Sequence, residues 1–186
     1  MSDDTVPVTV ELPRETYETL ETPENRLAEL AAEEARMQAS IETYLEDGDL
    51  VRGMMEGVPA PVGVLVGFEV VEFEPGHAVV ELAAGPRHAN PMGTVHGGVF
   101  CDLGDAAMGY AFATTLGQAE SFTTVELDVK YLKPVWEGTI TAEADVVKQG
   151  STVGLVECDV TDEEGSLVAR LESLCLTLRD EMAAGR

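Results

Sequence analysis

Residues 88–116, HANPMGTVHGGVFCDLGDAAMGYAFATTL, are the stretch that decides the fold of this chain. The stretch begins as a loop: Pro91 has no backbone donor and Gly93 allows unusual dihedral angles, so regular structure is not expected before Val95. Apolar and small residues then recur every three or four positions, at Phe100, Leu103, Ala107, Tyr110, Ala111 and Thr114. This period predicts a helix with one buried face. Because it carries so few charges, we expect the helix at the centre of the protein, covered by other elements.

The first turn of this helix, His96-Gly97-Gly98, has the chemistry of an oxyanion-binding site. Amides at a helix start have no partner within the helix, and the helix dipole adds about half a positive charge there. The two glycines allow a ligand carbonyl to approach closely, so the turn is able to stabilise an oxyanion. Alternatively, the glycines only permit tight packing of the helix on a sheet. Asp105, further along the helix, is a candidate base or nucleophile, and Asn90 adds a side-chain amide.

Strand-like segments flank the helix on both sides. They are bounded by turn sequences such as Glu74-Pro75-Gly76 and Gln149-Gly150-Ser151. Alternating or apolar runs predict strands over residues 62–73, 77–83, 121–132, 138–148, 152–161 and 166–178. Two strands, one helix and four further strands predict a single antiparallel sheet around the helix.

The region before the sheet is predicted to be an extension of the domain. Residues 1–13 are expected to form a tail or an added edge strand. Residues 14–47 are predicted to be helical, with Thr22 and Pro23 as a start signal and Gly48 as the end. The apolar stripe of this helix comprises Leu27, Leu30, Met37, Ile41, Tyr44 and Leu45. Such an amphipathic helix of about 25 residues either docks on its own domain or binds a partner.

The break at residues 57–61, GVPAP, marks the predicted domain start. The sequence therefore predicts three parts. Residues 1–57 form an acidic tail and amphipathic helix, residues 58–180 the sheet-and-helix domain, and residues 181–186 a C-terminal tail. A chain of 186 residues suits one domain with an extension.

The pattern Asn90, Gly93, His96-Gly97-Gly98 and Asp105, followed by small residues, resembles the signature of hot-dog acyl-CoA thioesterases of the phenylacetate-pathway (PaaI) type. The spacings match, with six residues from Asn90 to His96 and nine from His96 to Asp105. In that family a curved antiparallel sheet wraps a long central helix. The resemblance covers roughly residues 58–180 and implies an α+β hot-dog fold. The order of strands, which is independent of the motif, is the order that this fold requires.

The resemblance also implies roles for the matching residues. Asp105 would face the thioester as nucleophile or general base, the Gly97 amide would bind the oxyanion, and Asn90 would orient the water or the carbonyl. His96 would be an orienting hydrogen-bond partner. Two further residues are implied to contact the substrate or the attacking water, Gly98 and Thr124.

Each role has a structural alternative. Asp105 would then bond a neighbouring strand, Asn90 would form a turn, and His96 would cap the helix start. Thr123 lies beside Thr124, and a slip of one residue reverses which of the two faces the helix. Asp102, one turn before Asp105, is expected to be exposed.

The reaction implied by the resemblance is hydrolysis of an acyl-CoA to free acid and CoA, with no cofactor beyond the substrate's own CoA. The active site would lie between two subunits of a homodimer, or of a tetramer built from two dimers. Arg87, Lys130 and Lys133 are candidates for the CoA phosphates. Two rivals remain: a hot-dog hydratase or dehydratase in which His96 takes the proton, and a non-catalytic acyl-CoA binder.

Charge sets the chain apart, with 35 acidic against 11 basic residues and a net charge of −24. Such a chain repels nucleic acid and anionic membranes. It resembles proteins of salt-accumulating halophiles, since molar salt shortens the Debye length to about 3 Å. The acidic N-terminus has no apolar core, and no apolar run reaches the roughly 18 residues of a membrane span, so a cytoplasmic location is expected.

The cysteines and histidines predict neither a disulfide nor a metal site. Cys101, Cys158 and Cys175 lack CxxC spacing, and a hairpin turning at residues 162–165 would place Cys158 opposite about position 169. The sequence has no HxxxH pattern, and the two histidines outside the motif, His77 and His88, are expected at the surface.

Overall fold

The computed structural model describes residues 23–46, 58–117 and 119–183. The described residues divide into two compact units, with the boundary between Ala35 and Arg36. The helices are α1 (Pro23–Ile41), which continues into a π-helical turn at Glu42–Glu46, α2 (Pro61–Val66) and α3 (Gly97–Ala113). The strands are β1 (Phe68–Glu74), β2 (His77–Ala84), β3 (Ser121–Tyr131), β4 (Gly138–Gln149), β5 (Val153–Asp162) and β6 (Leu167–Leu178). Short 3-10 turns lie at Pro86–His88 and Asp180–Met182.

The six strands form one antiparallel sheet in the order β1-β2-β4-β5-β6-β3. Helix α3 packs against this sheet, so the predicted order of two strands, one helix and four strands is confirmed. The buried face of α3 consists of Phe100, Leu103, Gly104, Ala107, Met108, Ala111 and Phe112. This is the hot-dog arrangement that the sequence predicts.

Glycine allows α3 to lie this close to the sheet. A Cβ atom at Gly104 would lie 2.5 Å from a methyl carbon of Leu171 on β6. A Cβ atom at Gly154 on β5 would lie 2.1 Å from the ring of Phe112. Both distances are far below van der Waals contact, so the two large side chains occupy the space that these glycines leave.

The first predicted strand is wrong in its first half. Residues 61–66 form helix α2, with Pro61 at the first position, and Gly67 ends it in the left-handed conformation at φ 93°. Proline favours the first turn of a helix and glycine favours its C-terminal cap. A short apolar run cannot distinguish a strand from a helix by its period alone.

The segment from Arg36 to Tyr44 docks through polar side chains. The Arg36 guanidinium pairs with Glu69 of β1 at 2.8 Å. Ser40 Oγ donates to the Pro59 carbonyl at 2.7 Å, and the Tyr44 hydroxyl donates to the Val58 carbonyl at 2.6 Å. This C-terminal end of the predicted helix therefore docks on its own domain.

The first two members of the apolar stripe, Leu27 and Leu30, are exposed. The predicted helix also includes residues 14–22 and 47, which lie outside the described residues, as do its stop signal at Gly48 and the tail at 1–13. None of the helices within residues 23–46, 58–117 and 119–183 combines the length and apolar character that a membrane crossing requires.

All three cysteines are free thiols, as the sequence predicts. Cys158 lies opposite Leu171, not opposite position 169, because Thr161 pairs with Leu167 instead of Ser166 and the register shifts by one more residue between Val160 and Thr161. Cys175 lies opposite Gly154 on one side and Thr124 on the other. Cys158 and Cys175 are buried, so they behave as small hydrophobic residues.

Candidate active site

His96 is the N-cap of α3. Its backbone is extended, with φ −65° and ψ 137°, and its Nδ1 accepts a hydrogen bond from the Gly98 amide at 2.9 Å. The imidazole therefore does what an N-cap side chain does, which is to satisfy one of the unpaired amides of the first turn. The capping alternative for His96 is thus observed, and the Gly98 amide is already engaged within the chain.

Gly97 is held through its carbonyl. The Gly97 amide donates to no partner within the described residues. The Gly97 carbonyl accepts from the Tyr131 hydroxyl at 2.9 Å. A Cβ atom at this position would lie 3.0 Å from that hydroxyl, so glycine also permits the close approach of Tyr131. Gly97 thus presents an available donor at the positive end of a helix.

Asp105 is half-buried and held by β3. The Thr124 hydroxyl donates to Asp105 Oδ1 at 3.0 Å, which places the Thr124 side chain on the face of β3 that meets the helix. Asp102 is exposed, in agreement with the sequence. Partial desolvation, together with the negative charge of Asp105, raises the pKa of Asp102 above its usual value.

Asn90 organises the loop before the helix. Its Nδ2 donates to Thr94 Oγ1 at 2.8 Å, and its Oδ1 accepts from the Met92 amide at 2.8 Å. Its backbone amide also bonds to the Thr94 carbonyl, and its carbonyl accepts from Gly93. Both ends of the side chain are therefore used locally, as in an Asx turn.

The predicted site divides into two clusters within one chain. His96, Gly97 and Gly98 lie at the start of α3, whereas Asp105 and Thr124 lie together further along it. Eight residues of helix separate Gly97 from Asp105, which is a rise of about 12 Å. One carbonyl group cannot contact both the Gly97 amide and the Asp105 carboxylate of the same chain.

The three candidate phosphate-binding cations all have partners within the chain. Arg87 donates to the Val66 carbonyl at 3.0 Å. Lys130 pairs with Asp128, and Lys133 pairs with Asp162. Their role toward CoA phosphates stays a prediction.

The expectation of surface positions is wrong for His88 and incomplete for His77. His88 is buried; its Nδ1 accepts from the Gly85 amide at 3.1 Å and its Nε2 lies 2.8 Å from the Val66 carbonyl. His77 pairs with Asp145 across β2 and β4 at 3.0 Å, and this hydrogen bond raises the pKa of His77. His77, Asp145 and Glu143 bring potential metal-ligand atoms within 4.8 Å of one another, although the ion pair already accounts for two of them.

Tyr131 is the contact at the helix start that the sequence did not predict. Alternation counted straight from Thr124 would place residue 131 on the opposite face of β3. The register of β3 against β6 shifts between Thr124 and Glu126, so that Tyr131 returns to the helix side. A bulge of one residue leaves no distinct sequence signal here.

Comparison with known proteins identifies the family. Residues 92–169 match the Thioesterase superfamily. A candidate esterase of Saccharolobus solfataricus is 34% identical over 62% of this chain and 82% of its own. The 1,4-dihydroxy-2-naphthoyl-CoA hydrolase of Listeria monocytogenes is 30% identical over 55% of this chain and 84% of its own. A mutant of the phenylacetic acid degradation protein PaaI from Thermus thermophilus superposes with a TM-score of 0.59 at 26% identity, over 62% of this chain and 97% of that one.

The chain belongs to the Thioesterase superfamily. The predictions of a hot-dog fold and of a thioesterase are confirmed at this level. The roles of individual residues stay predictions.

Proposed function

We propose that this enzyme hydrolyses an acyl-CoA thioester to the free acid and CoA, with Asp105 as its essential carboxylate. The observation that supports it most is that this thioesterase chain carries two clusters with complementary chemistry. One cluster offers a half-buried carboxylate oriented by Thr124, and the other offers a Gly97 amide at a helix start, with no hydrogen-bond acceptor among the described residues. Activation of a nucleophile and stabilisation of an oxyanion are the two functions that acyl transfer requires.

A complete site takes its two clusters from two subunits. The separation of about 12 Å along α3 supports this, because a second copy must bring its own helix start to Asp105. The sheet supports it as well. Strand β3 lies at one edge, with β6 as its neighbour, and its Val125 side chain is exposed. An unpaired edge strand is a template for pairing with another chain. A homodimer is the minimum assembly, and two dimers would form a tetramer.

The chemistry follows from these positions. As general base, Asp105 takes a proton from water while the water oxygen attacks the thioester carbonyl. The Gly97 amide stabilises the resulting oxyanion, and its collapse expels the CoA thiolate, which recovers the proton from Asp105. As nucleophile, Asp105 would instead form an acyl anhydride that water then hydrolyses. No metal or cofactor takes part in either route.

The net charge of −24 supports the proposal that this protein works in the molar salt of a halophile's cytoplasm. High salt would also screen the repulsion between so acidic a surface and the negatively charged phosphates of CoA.

The test is a thiol-release screen over short-chain, aromatic and long-chain acyl-CoAs at molar KCl with a chelator present. Wild type should release thiol from at least one class, and Asp105→Asn should not. Tight binding of every acyl-CoA without thiol release would show that the protein is a non-catalytic acyl-CoA binder. A change in enoyl absorbance without thiol release would establish the hydratase.

A further inference from the structure

The end of β3 lies directly over the start of α3. The Tyr131 hydroxyl donates to the Gly97 carbonyl at 2.9 Å, and its ring meets Phe100 edge-on with 6.1 Å between centroids. Cys101 Sγ lies 3.4 Å from the same hydroxyl. These contacts come from the first turn of the helix and from the turn above it. One side chain therefore anchors the residue whose amide is the proposed oxyanion donor.

From this contact we infer that Tyr131 is a positioning residue for hydrolysis, because its hydroxyl anchors the Gly97 carbonyl and so restricts the backbone of the residue whose amide is the proposed oxyanion donor. The inference rests on the proposed function. His96 accepts from the Gly98 amide and Tyr131 donates to the Gly97 carbonyl, so the Gly97–Gly98 peptide is held at both its ends. This restrains a turn that has two glycines and few side chains of its own. Glycine is the most flexible residue, and an oxyanion donor is effective only if it is already oriented before the charge develops.

The glycine and the tyrosine are matched to each other. A Cβ atom at residue 97 would lie 3.0 Å from the Tyr131 oxygen and 3.1 Å from its Cζ. The hydroxyl remains a donor over the working pH range, because the neighbouring Cys101 sulfur and partial burial raise the pKa of Tyr131 to about 12. The thiol is able to donate to the phenol oxygen while the phenol donates to the carbonyl.

The decisive variant is Tyr131→Phe, which removes the hydroxyl and keeps the ring. We expect kcat to fall about threefold to tenfold, the usual effect of one neutral hydrogen bond, with KM within about twofold of wild type. Tyr44→Phe is the matched control, since it removes a hydroxyl that donates to Val58 and should leave kcat unchanged. Circular dichroism at the assay temperature checks that each variant is folded.

Gly97→Pro removes the Gly97 amide itself, and proline suits both the first position of a helix and the extended His96 that precedes it. Its Cβ would lie 3.0 Å from the Tyr131 oxygen, so this variant should lose the amide and disturb the tyrosine contact together, and its kcat should be lower than that of Tyr131→Phe. An unchanged kcat in Tyr131→Phe, or a rise confined to KM, would overturn the inference. A wild-type enzyme that releases no thiol would instead refute the proposed function.

Discussion

Asp105 and Asp102 lie one helical turn apart but differ in their surroundings. Thr124 orients Asp105 from β3, whereas Asp102 is exposed and has a raised pKa. We therefore expect Asp105→Asn to lower kcat about 10²–10⁴-fold, the usual effect of losing a general base. Asp102→Asn should stay within about threefold of wild type, because it removes only a nearby charge. Steady-state thiol release gives both values.

The same two variants also show whether a residue other than Asp105 is the essential acid or base. If Asp102→Asn were inactive and Asp105→Asn active, the essential carboxylate would be Asp102, one helical turn before Asp105. If both remained active, the carboxylate mechanism would be wrong and His96 would become the leading base.

Asn90 has a structural role in its loop and a predicted role in positioning the reacting groups. Asn90→Ala should lower kcat at least about tenfold with little change in KM, because a misplaced reacting group affects turnover more than CoA binding. Thr94→Val is the control: it removes the hydroxyl that accepts from Asn90 Nδ2 but keeps the Asn90 side-chain amide. Equal losses in the two variants would mean that Asn90 acts only on the loop.

At the scale of secondary-structure elements, the packing of α3 on the sheet depends on Gly154. A Cβ atom there would lie 2.1 Å from the Phe112 ring, which itself meets Phe122 edge-on at 5.5 Å. Gly154→Ala should lower the free energy of unfolding by about 1–3 kcal/mol through overpacking. Gly85→Ala should be nearly neutral, because its φ of −165° suits any residue and no atom lies within 4 Å. Denaturant unfolding at one protein concentration compares them; equal midpoints would contradict the packing argument.

The strands could be predicted because one face of the sheet is buried and the other is solvated, which leaves an alternating pattern. Five of the six predicted strands, all but the first, agree with the structure to within about one residue at each end. Helix α2 could not be distinguished in this way, since its six apolar residues have no clear period. The N-terminal stripe left open whether the helix docks on its own domain or binds a partner, because periodicity shows which residues share a face but not what covers it; Leu27 is exposed.

The candidate site was predictable where residues are close in sequence. His96 capping Gly98 is a contact within three residues, and the motif spacing pointed to Asp105. Contacts that depend on register were harder to predict. Thr124 was found only through the resemblance, and Tyr131 was missed because the bulge after Thr124 changes the face of β3.

At the scale of the whole molecule, acidic residues oppose one another across the outer face of the sheet. Asp145 pairs with Glu157, Glu157 with Glu172, and Glu172 with Asp128, all on exposed positions of adjacent strands. Like charges that lie directly opposite destabilise a sheet. Since the net charge is −24, the chain should lose its fold or its assembly when KCl is lowered from molar to millimolar.

Circular dichroism and oligomer mass across that range of KCl measure this directly. An unchanged spectrum with an unchanged mass in dilute buffer would remove the argument for a high-salt environment. It would also leave CoA binding to so acidic a surface without its screening explanation.

Each proposed active site combines the Asp105 carboxylate of one subunit with the Gly97 amide of another. The most direct measurement mixes two variants, Asp105→Asn and Gly97→Pro, after dissociation and reassembly. Each variant alone should have very low activity. In a mixed dimer one site carries both defects and the other carries neither, so an equal mixture should recover about a quarter of wild-type activity. Activity that stays at the level of the separate variants, with mixed dimers present by mass, would contradict a shared site.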